Sequence, residues 1–110
     1  MPGPRKGTVI PLGQTIKSIR ISKGWSREDL EDQTDLAVEA LAQKAPQRSR
    51  IYRRWKSRRK QKKLAGIGLS TLASIEKSTP VLPFTLMIVA AALGVDMKTL
   101  IDPKDPFYTP

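Results

Sequence analysis

Residues 65–78 read "AGIGLSTLASIEKS", where two glycines precede a short and regularly spaced apolar pattern. Leu72 and Ile75 stand three residues apart, so they fall on one face of a helix from about Leu69 to Lys77. The residues immediately before this stretch, "RSRIYRRWKSRRKQKKL" (48–64), form a dense block of positive charge. The pattern therefore predicts a short helix that directly follows a cationic segment.

Two helices are predicted upstream of that block. Apolar residues at i, i+4 and i+7 predict a first helix from about Leu12 to Lys23, and Gly24 ends it. Ser26 is a typical N-cap, and two acidic residues follow it in the first turn of a second helix. The helical period continues as far as Ala45, where Pro46 stops it.

Three further helical segments complete the predicted order. A basic helix is expected over about Ser49 to Leu64, although its few apolar residues leave open whether it forms only on a target. Another helix begins at Pro83 and runs to Leu93, before Gly94. Asp96 then caps a short helix that extends through about Ile101.

The length of the chain predicts one small domain with two tails. A chain of 110 residues supports a single modest core. We expect a flexible N-terminal tail over residues 1–11 and a single all-α domain over residues 12–101. The last residues, 102–110, hold three prolines and predict an extended C-terminal tail.

The positive charge is concentrated in the middle of the chain. Residues 36–75 hold eleven Lys and Arg against Glu39 alone, and this excess equals the whole formal net charge of +10. Such a patch attracts polyanions through counterion release, whatever their base sequence. The competing interpretation is a solvated helix face, but soluble faces normally intersperse both signs.

Composition argues against several classes of protein. The chain has no run of about 18 apolar residues and no apolar secretory segment, so a cytoplasmic protein without membrane contact is expected. It has no cysteine and no histidine, which removes the commonest nucleophile, general base and zinc ligands. The acidic run from Glu28 to Asp32 points in several directions and suits a helix first turn. We expect neither an enzyme nor a bound metal or cofactor.

Three stretches, taken in order, resemble the Cro/C1-type helix-turn-helix family, also called the XRE family. They are "LGQTIKSIRISKGWSREDL" (12–30), "AGIGLSTLASIEKS" (65–78) and "LMIVAAALGVDMKTLI" (86–101). The resemblance implies a five-helix, Cro/C1 repressor-like bundle whose function is sequence-specific binding of double-stranded DNA. It further implies a transcriptional regulator, most simply a repressor and homodimer, associated with the nucleoid.

The chain departs from this family between its second and third predicted helices. Family members join these helices by a few residues, whereas a basic insert of about 36–65 separates them here. The sequence does not determine where between Leu30 and Gly66 the insert begins and ends. Because the turn before the recognition helix lies close to the phosphates in this class of complex, we expect the insert to add phosphate-backbone contacts.

The resemblance assigns roles to residues around the predicted turn. It implies base contacts by Leu69, Ser70 and Ser74, and phosphate contacts by Arg27, Thr71 and Lys77. It also implies a structural ion pair between Arg20 and Glu76. From its charge, the insert is expected to contact phosphates through Arg48, Arg50, Arg53, Arg54, Lys56, Arg58, Arg59, Lys60, Lys62 and Lys63.

Several alternatives stay open at this point. Tyr52 and Trp55 are expected to pack the insert onto the bundle, with base stacking as the second option. Phe84 and Ile88 should be covered by a second subunit, which we favour, or by the insert. Two other functions remain: an RNA-binding or ribosome-associated protein that uses the arginine-rich insert, and an antitoxin or protein-interaction scaffold.

Overall fold

The predicted helices are present close to their predicted ends in a computed structural model, which describes residues 7–61 and 65–102. They are α1 (Gly13–Ser22), α2 (Arg27–Lys44), α3 (Arg50–Lys60), α4 (Leu69–Glu76), α5 (Pro83–Leu93) and a final 3₁₀ helix (Met97–Leu100). In these residues the only β structure is two isolated bridges, so the all-α class is confirmed. Lys62, Lys63 and residues 103–110 of the predicted tail lie outside the described residues.

Local capping interactions fix several helix ends. The Ser26 hydroxyl accepts from the Asp29 backbone N–H at 3.1 Å, and the Asp29 carboxylate accepts from the Ser26 N–H at 2.9 Å. Ser49 caps α3, and the Asp96 carboxylate accepts from the Lys98 N–H ahead of the 3₁₀ turn. Gly94 ends α5 in a left-handed conformation with φ of 73°. Each of these four helix ends is therefore determined by a residue at the helix boundary.

The core surrounds α2, which packs against α3, α4 and α5. Buried apolar side chains come from every helix, and the largest fully buried ones are Ile16, Leu30, Leu72, Ile75, Leu86, Ile88, Leu93 and Leu100. α2 is 18 residues long, and the residues that bind the start of α4 lie in its first half, so its second half extends past that contact. α2 therefore links the cationic helix α3 to the rest of the bundle.

The segment before α1 is not a flexible tail where the structure describes it. Val9 is fully buried, and its backbone pairs with that of Val81 through hydrogen bonds of 2.8 and 2.9 Å. Pro11 forms the second bridge, with Ile101. The predicted tail over residues 1–11 is therefore corrected for residues 8–11. A partner 72 positions away in sequence leaves no local periodicity to detect.

The chain leaves the α2–α4 contact at Asp35 and returns to it at Ala65. The Ala65 N–H donates to the Asp35 carboxylate at 2.7 Å, and the Ile67 N–H donates to the Thr34 hydroxyl at 2.8 Å. The second half of α2 and the whole of α3 belong to the excursion between these two points. The excursion thus begins and ends beside the N-terminus of α4.

α5 is covered within the chain, in part by this excursion. Ile88 is fully buried, and the Arg50 guanidinium lies 4.4 Å from the centre of the half-buried Phe84 ring. Ile88, which we expected a second subunit or the insert to cover, is thus buried within one chain, and Phe84 is partly covered by Arg50 of the excursion. Although α5 is strongly apolar, no helix among the described residues is long and apolar enough to cross a membrane.

Candidate nucleic-acid interface

The outer face of α4 is polar and exposed. Leu72 and Ile75 point into the core, whereas Ser70, Thr71 and Ser74 are exposed and Leu69 is 38% exposed. Lys77 follows at the C-terminal end of the helix and is exposed as well. The five residues assigned to DNA on α4 therefore share a surface that the bundle leaves open.

Three side chains of α2 hold the start of α4 in place. The Glu31 carboxylate accepts from the Leu69 N–H at 3.0 Å and so caps a helix whose N-cap residue, Gly68, has no side chain. Thr34 and Asp35 bind the segment two to four residues earlier. Thr34 is fully buried and also donates to the Glu31 carbonyl at 2.7 Å. The angle between α2 and α4 is thus fixed by hydrogen bonds as well as by packing.

Gly66 allows this close approach between the turn and α2. A Cβ at position 66 would overlap the backbone nitrogen of Asp35 and the hydroxyl of Thr34. At Gly68, in contrast, a Cβ would meet nothing within 4 Å. The first glycine is therefore required by packing, and the second is not.

A cleft separates the N-terminus of α2 from α4. Ser26, Arg27 and Glu28 line it from one side, and Leu69, Ser70 and Ala73 line it from the other. The Arg27 side chain is 45% exposed, and its Nε donates to Glu76 Oε1 at 3.3 Å. Arg27, expected from the resemblance to clamp a phosphate, is therefore at the cleft but is also part of an internal ion pair.

The helix α3 presents two different faces. Its inner face packs toward the bundle and consists of Ile51, Arg54, Trp55 and Arg58. Its outer face is exposed and consists of Arg53, Lys56, Ser57 and Lys60. The spacing i, i+3, i+4, i+7 is the same on both faces, as expected for one helix with a buried and a solvated side. The predicted phosphate contacts of α3 therefore fall into two groups.

Arg54, which was predicted to contact a phosphate, has a different role in the structure. Its Nε donates to the Ala65 carbonyl at 2.7 Å, and a terminal guanidinium nitrogen donates to the Gly66 carbonyl at 2.8 Å. Burial, followed by the neighbouring charges of Arg58 and Arg50, lowers the pKa of Arg54 from its usual value. This guanidinium is used inside the protein, where it binds the turn that precedes α4.

Two other arginines of the excursion are paired with aromatic rings. Arg50 covers Phe84, and the Arg59 guanidinium lies 5.2 Å from the centre of the Trp55 ring. Trp55 packs against the core and lies 5.7 Å from Tyr52, centroid to centroid, at a tilted angle. Packing, the role we favoured for Trp55, is therefore the one that the structure gives it.

Four further cations of the excursion are exposed, while Arg58 is half-buried. They are Arg48, Arg53, Lys56 and Lys60. Among residues 7–61 and 65–102 there are two ion pairs, and Glu76 is the acidic partner in both. Within these residues, therefore, none of the four cations has a carboxylate within 4.0 Å. Tyr52 and Gln47 line a shallow groove with three of them. This outer face combines uncompensated positive charge with one aromatic ring.

The sequence did not reveal the residues of α2 that hold α4 in place, although it did indicate the residues of α4 that face solvent. Thr34 is a polar residue within the helical period of α2, Glu31 belonged to the acidic run assigned to capping that helix, and Asp35 was assigned no role. Their contacts lie 30 to 38 residues away in sequence. The one available signal was the phase of α3, since Ile51 and Trp55 place Arg54 on the same side as themselves.

No protein-family model, curated protein or solved structure matches the chain. Within the described residues there is also no group of three or more metal-ligating side chains that could hold an ion. Any function assigned to the chain must therefore be argued from its residues and their geometry.

Proposed function

We propose that the chain is a sequence-specific, double-stranded DNA-binding protein of the helix-turn-helix type, acting as a transcriptional regulator and most simply as a repressor. In this proposal α2 and α4 are the two helices of the motif, and α4 enters the major groove. The outer face of α3 adds contacts to the phosphate backbone. Such a protein would reside in the cytoplasm on the nucleoid.

The observation that carries the proposal is the pairing of α4 with α2. α4 is short, exposes Ser70, Thr71 and Ser74, and is capped at its N-terminus by a side chain of α2. In helix-turn-helix complexes the N-terminal residues of the second helix contact base edges, while the first helix crosses the backbone. The cleft beside Arg27 is where a phosphate would lie in that arrangement.

The side chains of α4 set a limit on direct readout. Serine hydroxyls donate or accept with several bases, and Leu69 offers only apolar contact to a thymine methyl group. Most of the affinity must then come from phosphate contacts and from sequence-dependent DNA shape. The uncompensated cations on the outer face of α3 are suited to supply it, since Lys and Arg bind phosphates without reference to sequence.

Selection from a random pool of duplexes tests the proposal. The parent protein should enrich a defined sequence, and Ser70→Ala and Ser74→Ala should each change what is enriched. Ser18→Ala, which removes an exposed serine from α1, is the matched control and should enrich the parent sequence. An unchanged sequence in both α4 variants would contradict base contact by α4.

RNA binding is the second candidate, favoured by one specific observation. Tyr52 lies among the exposed cations of α3 and lines their groove, as an aromatic ring that stacks on an unpaired base would. Binding to a hairpin RNA, a single strand and a random duplex at matched salt separates the two candidates. A scaffold function through α5 has less support, because Ile88 is fully buried within the chain.

A further inference from the structure

Arg54 binds the turn that leads into α4. Its guanidinium donates to the carbonyls of Ala65 and Gly66, at 2.7 and 2.8 Å, and α4 begins three residues after the second of these. Two parallel hydrogen bonds from one planar group fix both distance and orientation. The middle of α3 is thus tied to the backbone just ahead of the helix assigned to the major groove.

The same turn is held from its other side by α2. Ala65 and Ile67 donate to Asp35 and Thr34, and Gly66 lies against the α2 backbone without room for a side chain. The turn is therefore enclosed between α2 and Arg54. A displacement of α3 relative to α4 would break the Arg54 contacts or move the turn.

Apart from Arg54, α3 is positioned by its packing against α2 and by the contact of Arg50 with Phe84 on α5. Ile51 is its only buried side chain among the described residues, and Trp55 packs at the edge of the core. Arg50 and Arg58 flank Arg54 at i−4 and i+4, where like charges destabilise a helix. A half-buried guanidinium with like charges on both sides is unfavourable unless hydrogen bonds offset the cost, and the carbonyls of Ala65 and Gly66 accept two from Arg54.

We propose that Arg54 is a positioning residue that couples α3 to α4, so that phosphate contacts made by α3 determine where Ser70 and Ser74 meet the bases. The inference rests on the proposed function and deepens it. Arg53, the adjacent arginine, faces solvent and contributes charge, whereas Arg54 contributes geometry. Affinity and specificity are thereby assigned to neighbouring residues of one helix.

The first experiment measures the position of α3 without DNA. The chain has no cysteine, so Ser18→Cys on α1 and Ser57→Cys on α3 accept spin labels at two chosen sites. Both positions are exposed, and α1 is fixed to α4 by the Arg20–Glu76 pair. Pulsed electron paramagnetic resonance should give one narrow distance distribution in this background.

Two substitutions at position 54 should broaden that distribution. Arg54→Lys keeps the charge and loses the planar pair of donors, and Arg54→Gln loses the charge as well. Arg53→Lys is the matched control, since it makes the same exchange on the outer face and should leave the distribution narrow. A distribution that stays narrow in both Arg54 variants would overturn the inference, with circular dichroism used to confirm that α3 is folded.

The second experiment compares affinity for the selected duplex with affinity for random duplex. Arg54→Lys should lower this ratio on the order of tenfold, a usual size for coupling between two sites, with the salt dependence unchanged. Arg53→Lys should alter both affinities by one factor and preserve the ratio. If the Arg54→Lys variant keeps the parent's preference for the selected duplex, the inference is overturned but the proposed function is not. A parent protein without preference among duplexes overturns the proposed function, and the inference with it.

Discussion

Arg20 and Glu76 form a buried, two-point ion pair that joins α1 to the end of α4. Arg20 Nε donates to Glu76 Oε2 at 2.8 Å, and a second guanidinium nitrogen donates to Oε1 at 3.2 Å. The side chains are 9% and 3% exposed. Arg20 also donates to the Trp25 carbonyl at 2.8 Å, so one residue binds α4 and the loop that leads into α2.

Arg20→Ala should lower the free energy of unfolding by about 3 kcal/mol, because it leaves a buried carboxylate with only partial compensation. Arg27 remains as its second partner, but that side chain is nearly half exposed. Chemical denaturation monitored by circular dichroism measures the effect. Lys44→Ala, which removes an exposed cation at the end of α2, is the control. Equal stability of Arg20→Ala and parent would show that the pair contributes nothing to the fold.

Arg27→Ala should have a much smaller effect on stability than Arg20→Ala. The Arg27 contact with Glu76 is longer, at 3.3 Å, and solvent screens it, so the loss should be less than about 1 kcal/mol. If Arg27 also clamps a phosphate, the same variant should weaken DNA binding in spite of its near-parent stability. Denaturation and binding measured on one preparation separate the two roles. A parent-like affinity would remove Arg27 from the interface.

Gly66→Ala should destabilise the protein by about 1 to 3 kcal/mol, the usual cost of overpacking a filled site. The added methyl group would meet the backbone of Asp35, which cannot move without shifting α2. Gly68→Ala is the matched control, because that position is open. Thermal denaturation of the two variants side by side tests the packing of the turn. Equal melting temperatures would mean that Gly66 is not in close contact with α2.

The helix ends were predictable because their signals are local. Ser26, Pro83, Gly94 and Asp96 each act within a few residues of the boundary they define, and the structure places all four as the sequence indicated. The pairing of Val9 with Val81 was not predictable, since two isolated bridges make no repeating pattern. Contacts between distant segments depend on how the helices pack, which no short window of sequence contains.

The charge of the excursion was predictable, but the use of each cation was not. Arg53 and Arg54 are adjacent and chemically identical, yet one is exposed and the other binds two backbone carbonyls. Only the rotation of α3 about its axis distinguishes them. That rotation is set by Ile51 and Trp55, two apolar residues among a majority of charged ones. A pattern this sparse is enough to predict that a helix forms, but it does not predict which side of the helix faces the core.

Ile88→Glu should unfold the protein rather than produce a folded monomer. Ile88 is fully buried within one chain, so the introduced carboxylate would have no access to water. Ala91→Glu, on the exposed side of α5, is the control and should leave the chain folded. Circular dichroism together with sedimentation velocity gives the result. A folded Ile88→Glu species of lower mass than the parent would instead place Ile88 between two subunits.

Neutralising the outer face of α3 should weaken binding to selected and random duplexes by the same factor. Arg53, Lys56 and Lys60 are exposed and uncompensated, and each phosphate contact that is lost should flatten the plot of log affinity against log salt by about 0.9. Replacing all three with Gln should therefore change the slope by about 2.7. The preferred sequence should stay the same, because phosphates carry no sequence information.

The matched control for this triple variant removes the same charge from elsewhere on the protein. Lys17, Lys23 and Lys98 lie on α1, after α1 and in the final 3₁₀ helix, and their replacement with Gln leaves α3 intact. If binding depends only on net charge, the two triple variants should show equal slopes. If α3 lies along the backbone, the α3 variant should show the flatter slope and the control should keep the slope of the parent. If the α3 variant keeps the parent's salt dependence of duplex binding and loses only hairpin RNA binding, the outer face of α3 binds RNA and not DNA.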